Sequence, residues 1–320
     1  MKYTDNALHV LTALTYKGIG KAWVVKNIPN NEPEDIVVSL LNQSLKTVKT
    51  TQNEFKQRKI QIEQQINKNA NHIDGVLAIG DIDFPQHRGN VQNSQKSVAL
   101  FYKGDISLLN NKNVAVIGLL QPDGTTEITE RIVVDMLVQQ GVTIVSGLAN
   151  GCDAIAHEQT LQSKGKTIAI LPSPLHNILP KGNLGLAKDI FRNGGLLLTE
   201  YLNDAGSKMA FNSRYQERDR LQALFSDVII LAASYAKNDM GNDSGARLAM
   251  EYARQYTIPR AVIYDESTDT HNPKYDLNRQ LINETPDITI ISNTDYDAVL
   301  KKLLSQISKV RHDAFQSDLF

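Results

Sequence analysis

The period of the apolar positions changes about a quarter of the way along the chain. Up to residue 72 they recur at helical spacing. Leu8, Leu11, Ala13 and Leu14 precede a turn at Gly18-Ile19-Gly20, Trp23 and Val24 resume beyond it, and Ile36, Val37, Leu40, Leu41, Leu45 and Val48 form one stripe after Pro33. The stretch from there to Asn71 is rich in Gln, Asn and Lys, with isolated Phe55, Ile60, Ile62 and Ile66, and fits either an exposed helix or a connection. A helical module is therefore expected over residues 1–72.

From residue 73 the pattern becomes one of short, continuous apolar runs: Val76 to Ile79, Val98 to Tyr102, Val114 to Ile117, Val142 to Val145, Thr167 to Leu171, Leu196 to Thr199, Val228 to Leu231, Ala261 to Tyr264 and Ile288 to Ile291. Helix-length segments separate most of them. Strands without polar alternation, interleaved with helices, predict a sheet covered on both faces. The expected fold is α/β: a doubly wound, mostly parallel Rossmann-like sheet over 73–295. An amphipathic C-terminal helix and tail over 296–320, with Val299, Leu300, Leu303, Leu304, Ile307 and Val310 on one face, would follow it.

Composition narrows the setting. No apolar run approaches the length of a membrane span, and the opening segment carries His9 inside its apolar stretch with no small-residue cleavage site. A soluble, cytoplasmic protein is expected, with no membrane partner. The single cysteine, Cys152, can form neither an internal disulfide nor a multi-thiolate metal site, so no metal or cofactor is expected. The 34 basic and 35 acidic side chains nearly cancel, so a polyanion would have to be held by a local patch. Residues 1–72 carry ten Lys or Arg against six Asp or Glu, an excess that a solvated helical face explains more simply than a polyanion site.

In an open parallel sheet, ligands lie beyond the carboxyl ends of the strands. The first strong exit ends in Gly118 and leads through Leu119, Leu120 and Gln121-Pro122-Asp123-Gly124 into a helix. The second runs Ser146-Gly147-Leu148-Ala149-Asn150-Gly151-Cys152-Asp153, with His157 one turn later. Its two glycines and hydroxyl suggest an anion nest at a helix start. Asp153 reads as the N-cap of that helix, His157 as a helix residue with a satisfied ring, and Cys152 as a buried small residue. A third exit offers Lys181 and Asn183 in a turn before a helix, for phosphate and sugar or for solvent. The fourth places Arg214, Arg218 and Arg220 at a helix start, interleaved with Glu217 and Asp219, as a cationic cluster or an ion-pair network. The fifth, Gly241-Asn242-Asp243-Ser244-Gly245, is another glycine-rich turn opening a helix.

These residues resemble the DprA/Smf DNA-processing family. The likeness runs in order through Asp83-Phe84-Pro85, Gly118, the block from Ser146 to Asp153 with Ala156-His157, Gly165-Lys166-Thr167, Pro180 with Asn183-Leu184, Gly194-Gly195, Thr199-Glu200, Phe211 ahead of Arg218-Asp219-Arg220, and Ser244-Gly245. Gly18-Ile19-Gly20 resembles the family's small helical module more weakly. The resemblance implies an extended Rossmann-type domain that binds single-stranded DNA without base specificity, forms a homodimer, hands the strand to a RecA-type recombinase and has no enzymatic activity. On it, Gly118, Ser146, Gly147, Gly151, Lys181, Asn183, Arg218, Arg220, Ser244 and Gly245 are the candidate phosphate-binding set, with Asp153 and His157 as structural members of the motif. Tyr201, Phe211 and Tyr215 offer stacking faces.

Three departures mark a divergent member. Leu120 stands where the family usually has an arginine, Asp219 stands where its Arg-Asn-Arg triplet has asparagine, and no basic winged-helix module follows the sheet in this sequence. The competing reading is a Rossmann-like sensor of a nucleotide or nucleotide-derived signal that does not bind DNA.

Overall fold

The computed structural model describes residues 1–46, 48–237, 245–284 and 286–317. Four helices come first: α1 (Asp5–Ala13), α2 (Lys21–Asn27), α3 (Glu34–Ser44) and α4 (Gln52–Lys68). The Gln-rich stretch is α4, started by a full capping box in which Thr51 and Glu54 satisfy each other's backbone N–H groups. Its apolar side is narrow, with only Phe55 and Ile66 buried, which is why its sequence reads as ambiguous. The stripe expected over α3 is displaced. Val37, Val38 and Leu41 face inward while Ile36 is exposed, and Val48 lies beyond the helix end in solvent.

The nine apolar runs are nine strands of one sheet: β1 (Gly75–Ala78), β2 (Ala99–Gly104), β3 (Asn113–Ile117), β4 (Thr143–Ser146), β5 (Thr167–Ile170), β6 (Leu196–Thr199), β7 (Val228–Leu231), β8 (Arg260–Ile263) and β9 (Thr289–Ile291). Their order is β1-β2-β6-β5-β4-β3-β7-β8-β9. From β6 to β9 all neighbours are parallel, and only β2, paired with β6 and with β1, runs antiparallel. The connecting helices are α5 (Gly124–Gln139), α6 (Cys152–Gln162), α7 (Leu184–Arg192), α8 (Lys208–Leu224), α9 (Ala246–Gln255), the single turn α10 (Glu266–Asp269) and α11 (Asp276–Glu284). The long α12 (Tyr296–Ser317) buries Leu300, Leu303, Leu304 and Ile307, and the side chain of Val310 lies outside the described residues.

Alternation along the strands splits the core. Leu77, Leu100, Ile168, Leu198, Ile229 and Val262 share one face with α8 and α9 residues such as Leu221 and Met250. On the other face Val76, Ala78, Phe101 and Leu197 pack with Ala7, Val24, Leu41, Phe55 and Ile66 of the first four helices, so those helices cover the sheet directly. Val114, Val116, Ile144, Ile230 and Ile263 meet α5 and α12 further along.

The topology fixes where a ligand can sit. The chain steps from β3 outward through β4, β5 and β6, then returns to place β7 on the other side of β3. Strand order reverses at β3 and β7, and the crevice outside their carboxyl ends is the position such folds use for ligands. Among the described residues, no helix is long and apolar enough to cross a membrane.

Candidate nucleic-acid interface

The loop after β4 is shaped around an arginine. Arg218, in the second half of α8, reaches under it and donates from Nη1 to Asp153 Oδ2 at 3.0 Å. A Cβ on Gly147 would stand 1.2 Å from that same nitrogen, so glycine is required for the guanidinium to pass. Asp153 also accepts from the Ala149 N–H at 3.2 Å, and Asn183 holds the loop from above by donating to the Leu148 and Ala149 carbonyls at 2.9 and 3.1 Å. Gly151 closes the loop at a φ of 72°, where a Cβ would meet the Leu119 carbonyl at 2.2 Å. Gly151, not Asp153, is the N-cap of α6. The carboxylate sits inside the first turn and serves the loop and Arg218 instead of capping.

A second network ties the helical layer to the sheet. Arg220 donates to Glu200 Oε2 at 2.6 Å and Glu217 Oε2 at 3.1 Å, and Lys21 of α2 donates to the same two carboxylates at 3.0 Å each. Burial alone would raise the Glu200 carboxyl, but the Arg220 and Lys21 charges outweigh it and hold the group below the usual range. The four side chains therefore balance one another, two cations against two anions.

These contacts correct several expectations. Arg218 and Arg220 are not at a helix start and are not solvent cations: both are buried inside the fold, and of the two expectations for them the ion-pair network is the one formed, with Asp219 and Glu217 among the partners. Ser146 is fully buried and donates to the Val116 carbonyl at 2.7 Å, so its hydroxyl is spent within the sheet and not in an anion nest. Gly118 makes room for Cys152, whose Sγ would lie 2.6 Å from a Cβ there. Lys181 stays exposed and donates to Asn177 Oδ1 at 2.6 Å. Gly245 precedes α9 and abuts Asp219, while Ser244 lies outside the described residues.

His157 is wholly buried. Its Nδ1 meets Thr167 Oγ1 at 2.7 Å, and because that hydroxyl already donates to the Ile144 carbonyl, Nδ1 carries the proton. Burial lowers its pKa to about 4, so the ring is neutral and structural. Next to the same loop, Glu130 of α5 is completely buried beside the Cys152 thiol, and burial pushes both groups well up. A neutral acid and an un-ionised thiol result, which removes Cys152 as a nucleophile. Glu130 was missed in the sequence, although it lies in register with the buried Thr126, Val133, Val134 and Leu137 of its helix. Among the described residues no cluster of acidic, histidine or cysteine side chains could hold a metal ion.

A family model described as DNA recombination-mediator protein A matches residues 75–292, from the first strand to the last. The chain belongs to that family. Protein Smf of Escherichia coli is 32% identical over 163 residues, 50% of this chain and 42% of that protein. DNA processing protein DprA of Streptococcus pneumoniae is 33% identical over 178 residues, 55% of this chain and 60% of that one. The chain thus spans about half the length of the curated relatives it matches. The X-ray structure of the Streptococcus pneumoniae protein shares the fold, with a TM-score of 0.68 at 24% identity over 91% of this chain and 95% of that one. DNA processing protein A of Helicobacter pylori, whose structure is described for its single-stranded DNA binding mode, gives a TM-score of 0.51 at 25% identity over 72% of this chain and 98% of that one.

In this member of the DNA recombination-mediator protein A family the two departures in the site have different weights. Leu120 is 58% exposed, an apolar side chain at the position where the resemblance implies an arginine. Asp219 costs less than its formal charge suggests. Burial, reinforced by Asp153 and only partly opposed by Arg218, raises its pKa to about 7. The shift moves the group toward its neutral form, and so toward the asparagine that the resemblance implies there.

Two outcomes follow. Gly147→Ala drives Arg218 off Asp153 and strands a buried carboxylate, an expected loss of about 3–5 kcal/mol in denaturant unfolding. In the unfolded chain Asp219 returns to its ordinary value of 3.8, so between that and about 7 the folded state holds an extra proton and stability falls as pH rises. His157 and His87 act oppositely. Burial lowers both to about 4, so from 6.5 down to 4 the unfolded chain takes up the protons and stability falls as pH drops. Asp219→Asn should therefore raise stability at pH 8 by about 1–3 kcal/mol. It should also steepen the fall in Tm between pH 6.5 and 4, because the offsetting carboxyl is gone. A variant melting like wild type at both ends would refute this assignment.

Proposed function

We propose that this chain binds single-stranded DNA without base specificity, as a DNA-processing protein of recombination, and that it does so without catalysis. The observation that carries the reading is the family match running from β1 to β9, the whole sheet and the crevice it frames. The curated relatives are named as DNA-processing proteins, and the Helicobacter pylori relative is described as binding single-stranded DNA. The chemistry of the rim agrees with a holder of strands. Lys181 supplies an exposed cation, and Asn183 fixes the neighbouring loop. Phe211 and Tyr215, packed edge to face at 5.1 Å, offer rings to bases. Buried arginines shape this surface and exposed groups touch the strand.

On the family resemblance alone, the proposal extends to a homodimer that passes the strand to a RecA-type recombinase in the cytoplasm. The nucleotide-sensor reading is not favoured by the family assignment, and it sets the control for the assay.

Anisotropy of a labelled oligothymidylate, titrated at two salt concentrations, tests the central claim. Lys181→Glu should weaken binding roughly three- to tenfold and reduce the slope of log K against log salt by about 0.7, one phosphate contact on a single strand. Mononucleotide should not compete. Unchanged affinity and slope would remove Lys181 from the interface, and displacement by mononucleotide would favour the sensor.

A further inference from the structure

The loop of residues 79–97 joins β1 to β2 and carries Asp83-Phe84-Pro85, a motif that the strand-binding reading leaves without a role. A cavity of about 820 Å³ opens on this loop, at the β1 edge of the sheet, with β2 and β6 between it and the β5 exit that carries Lys181. That volume lies within the range of small-molecule sites. The loop is pinned on both sides of the opening. Asp81 accepts from Thr4 Oγ1 at 2.7 Å, Asn6 Nδ2 at 2.9 Å and the Ala78 N–H at 2.7 Å, so the one carboxylate of the lining is engaged three times over. Further along, the Arg88 and Asn90 N–H groups donate to the Leu224 and Tyr256 carbonyls at 2.8 Å each. Between them Gly89 adopts a φ of 68°, where a Cβ would stand 2.1 Å from the Tyr256 carbonyl oxygen. The fold's own contacts thus frame the opening.

His87 lines it with both ring plane and tautomer fixed. Its ring meets Phe84 edge to face at 5.9 Å and Phe225 at 5.8 Å, and Nε2 accepts from the Ser97 N–H at 3.1 Å, which leaves the proton on Nδ1. Burial lowers its pKa to about 4, so the ring is a neutral donor, and Nδ1 has no partner among the described residues. Lys96 is the only Lys or Arg of the lining. It is half-buried and makes no ion pair or hydrogen bond among the described residues. Phe84 and Val91 supply a half-buried apolar wall, and Gln86 and Gln92 are the exposed amides of the lining.

A cation beside a neutral N–H suits a small anion, an aromatic wall suits a flat ring, and amides that donate and accept suit a ring with a polar edge. We propose that this cavity binds a free nucleoside monophosphate, with the phosphate on Lys96 and His87 Nδ1, the base against Phe84 and its edge on Gln86 and Gln92. One cation and one ring match one phosphate and one base, and the lining holds no second Lys or Arg for a neighbouring phosphate. The inference goes beyond strand binding in the crevice and does not rest on it.

Calorimetry on the full chain, with AMP, adenosine and ribose phosphate as probes, tests the assignment. AMP should bind wild type saturably with a Kd below about 1 mM. Adenosine and ribose phosphate, each lacking part of the ligand, should bind roughly tenfold more weakly or worse. Lys96→Gln should weaken AMP about tenfold, leave adenosine unchanged and keep the wild-type Tm, because the side chain makes no contact in the free protein. Phe84→Ala should weaken AMP and adenosine alike, by roughly tenfold, and Lys96→Gln decides the matter if Phe84→Ala does not fold. Saturating AMP should leave the anisotropy of bound oligothymidylate unchanged, as separate sites require. Absence of saturable AMP binding, AMP affinity untouched by Lys96→Gln, or displacement of oligothymidylate by AMP would overturn the pocket. A chain that binds AMP as described but no oligothymidylate would overturn the DNA reading and leave this one standing.

Discussion

Everything at the rim depends on one buried guanidinium. Arg218 crosses from α8 beneath the loop after β4, and Asp153 anchors it there. Each other feature of the loop is a condition for that contact. Gly147 has no Cβ because the arginine occupies its place, Gly151 turns the chain so that Asp153 enters α6 facing back, and Asn183 closes the loop from the opposite side. A surface loop of this length would ordinarily sample many conformations at an entropic cost on binding. Tied at Asp153 and Asn183, it is held in place by the fold's own contacts.

The same economy explains the rest of the charge distribution. Asp153, Glu200 and Glu217 absorb the arginines that the sequence places near the crevice, and Asp219 sits against Arg218 with its proton partly retained. Buried arginine is suited to this because its planar fork can serve two acceptors from one position, as Arg220 does with Glu200 and Glu217. The outcome is a rigid crevice of nearly neutral interior, with its exposed cations confined to side chains such as Lys181 and Lys208.

The sheet was legible because buried parallel strands have to be continuously apolar, and runs such as Val114 to Ile117 and Val228 to Leu231 have no other reading at that length. The glycine block from Gly147 to Gly151 was legible as a tight loop for the same steric reason that the structure displays. The fate of Arg218 and Arg220 was not. The interleaved Glu217 and Asp219 do pair with them, as an ion-pair network would, but their other partners lie 65 and 20 residues away in the chain, in the first turn of α6 and just past the end of β6, and nothing near them in sequence signals that burial. Ser146 misled similarly: a serine between an apolar strand and a glycine reads as a rim donor, whereas β4 continues through it and turns the hydroxyl toward β3.

This arrangement sets the character of the binding it could support. A strand-binding surface that relied on many free arginines would draw most of its affinity from counterion release and would lose it steeply in salt. Here the arginines of the site are engaged internally, the first-loop position is an exposed leucine, and the chain as a whole is near neutral. On the proposed reading, affinity would come in larger share from contacts that salt does not screen, a preformed loop and rings such as Phe211 and Tyr215. Arginines committed to holding the crevice in shape leave a strand, on that reading, to be held by the shape they maintain.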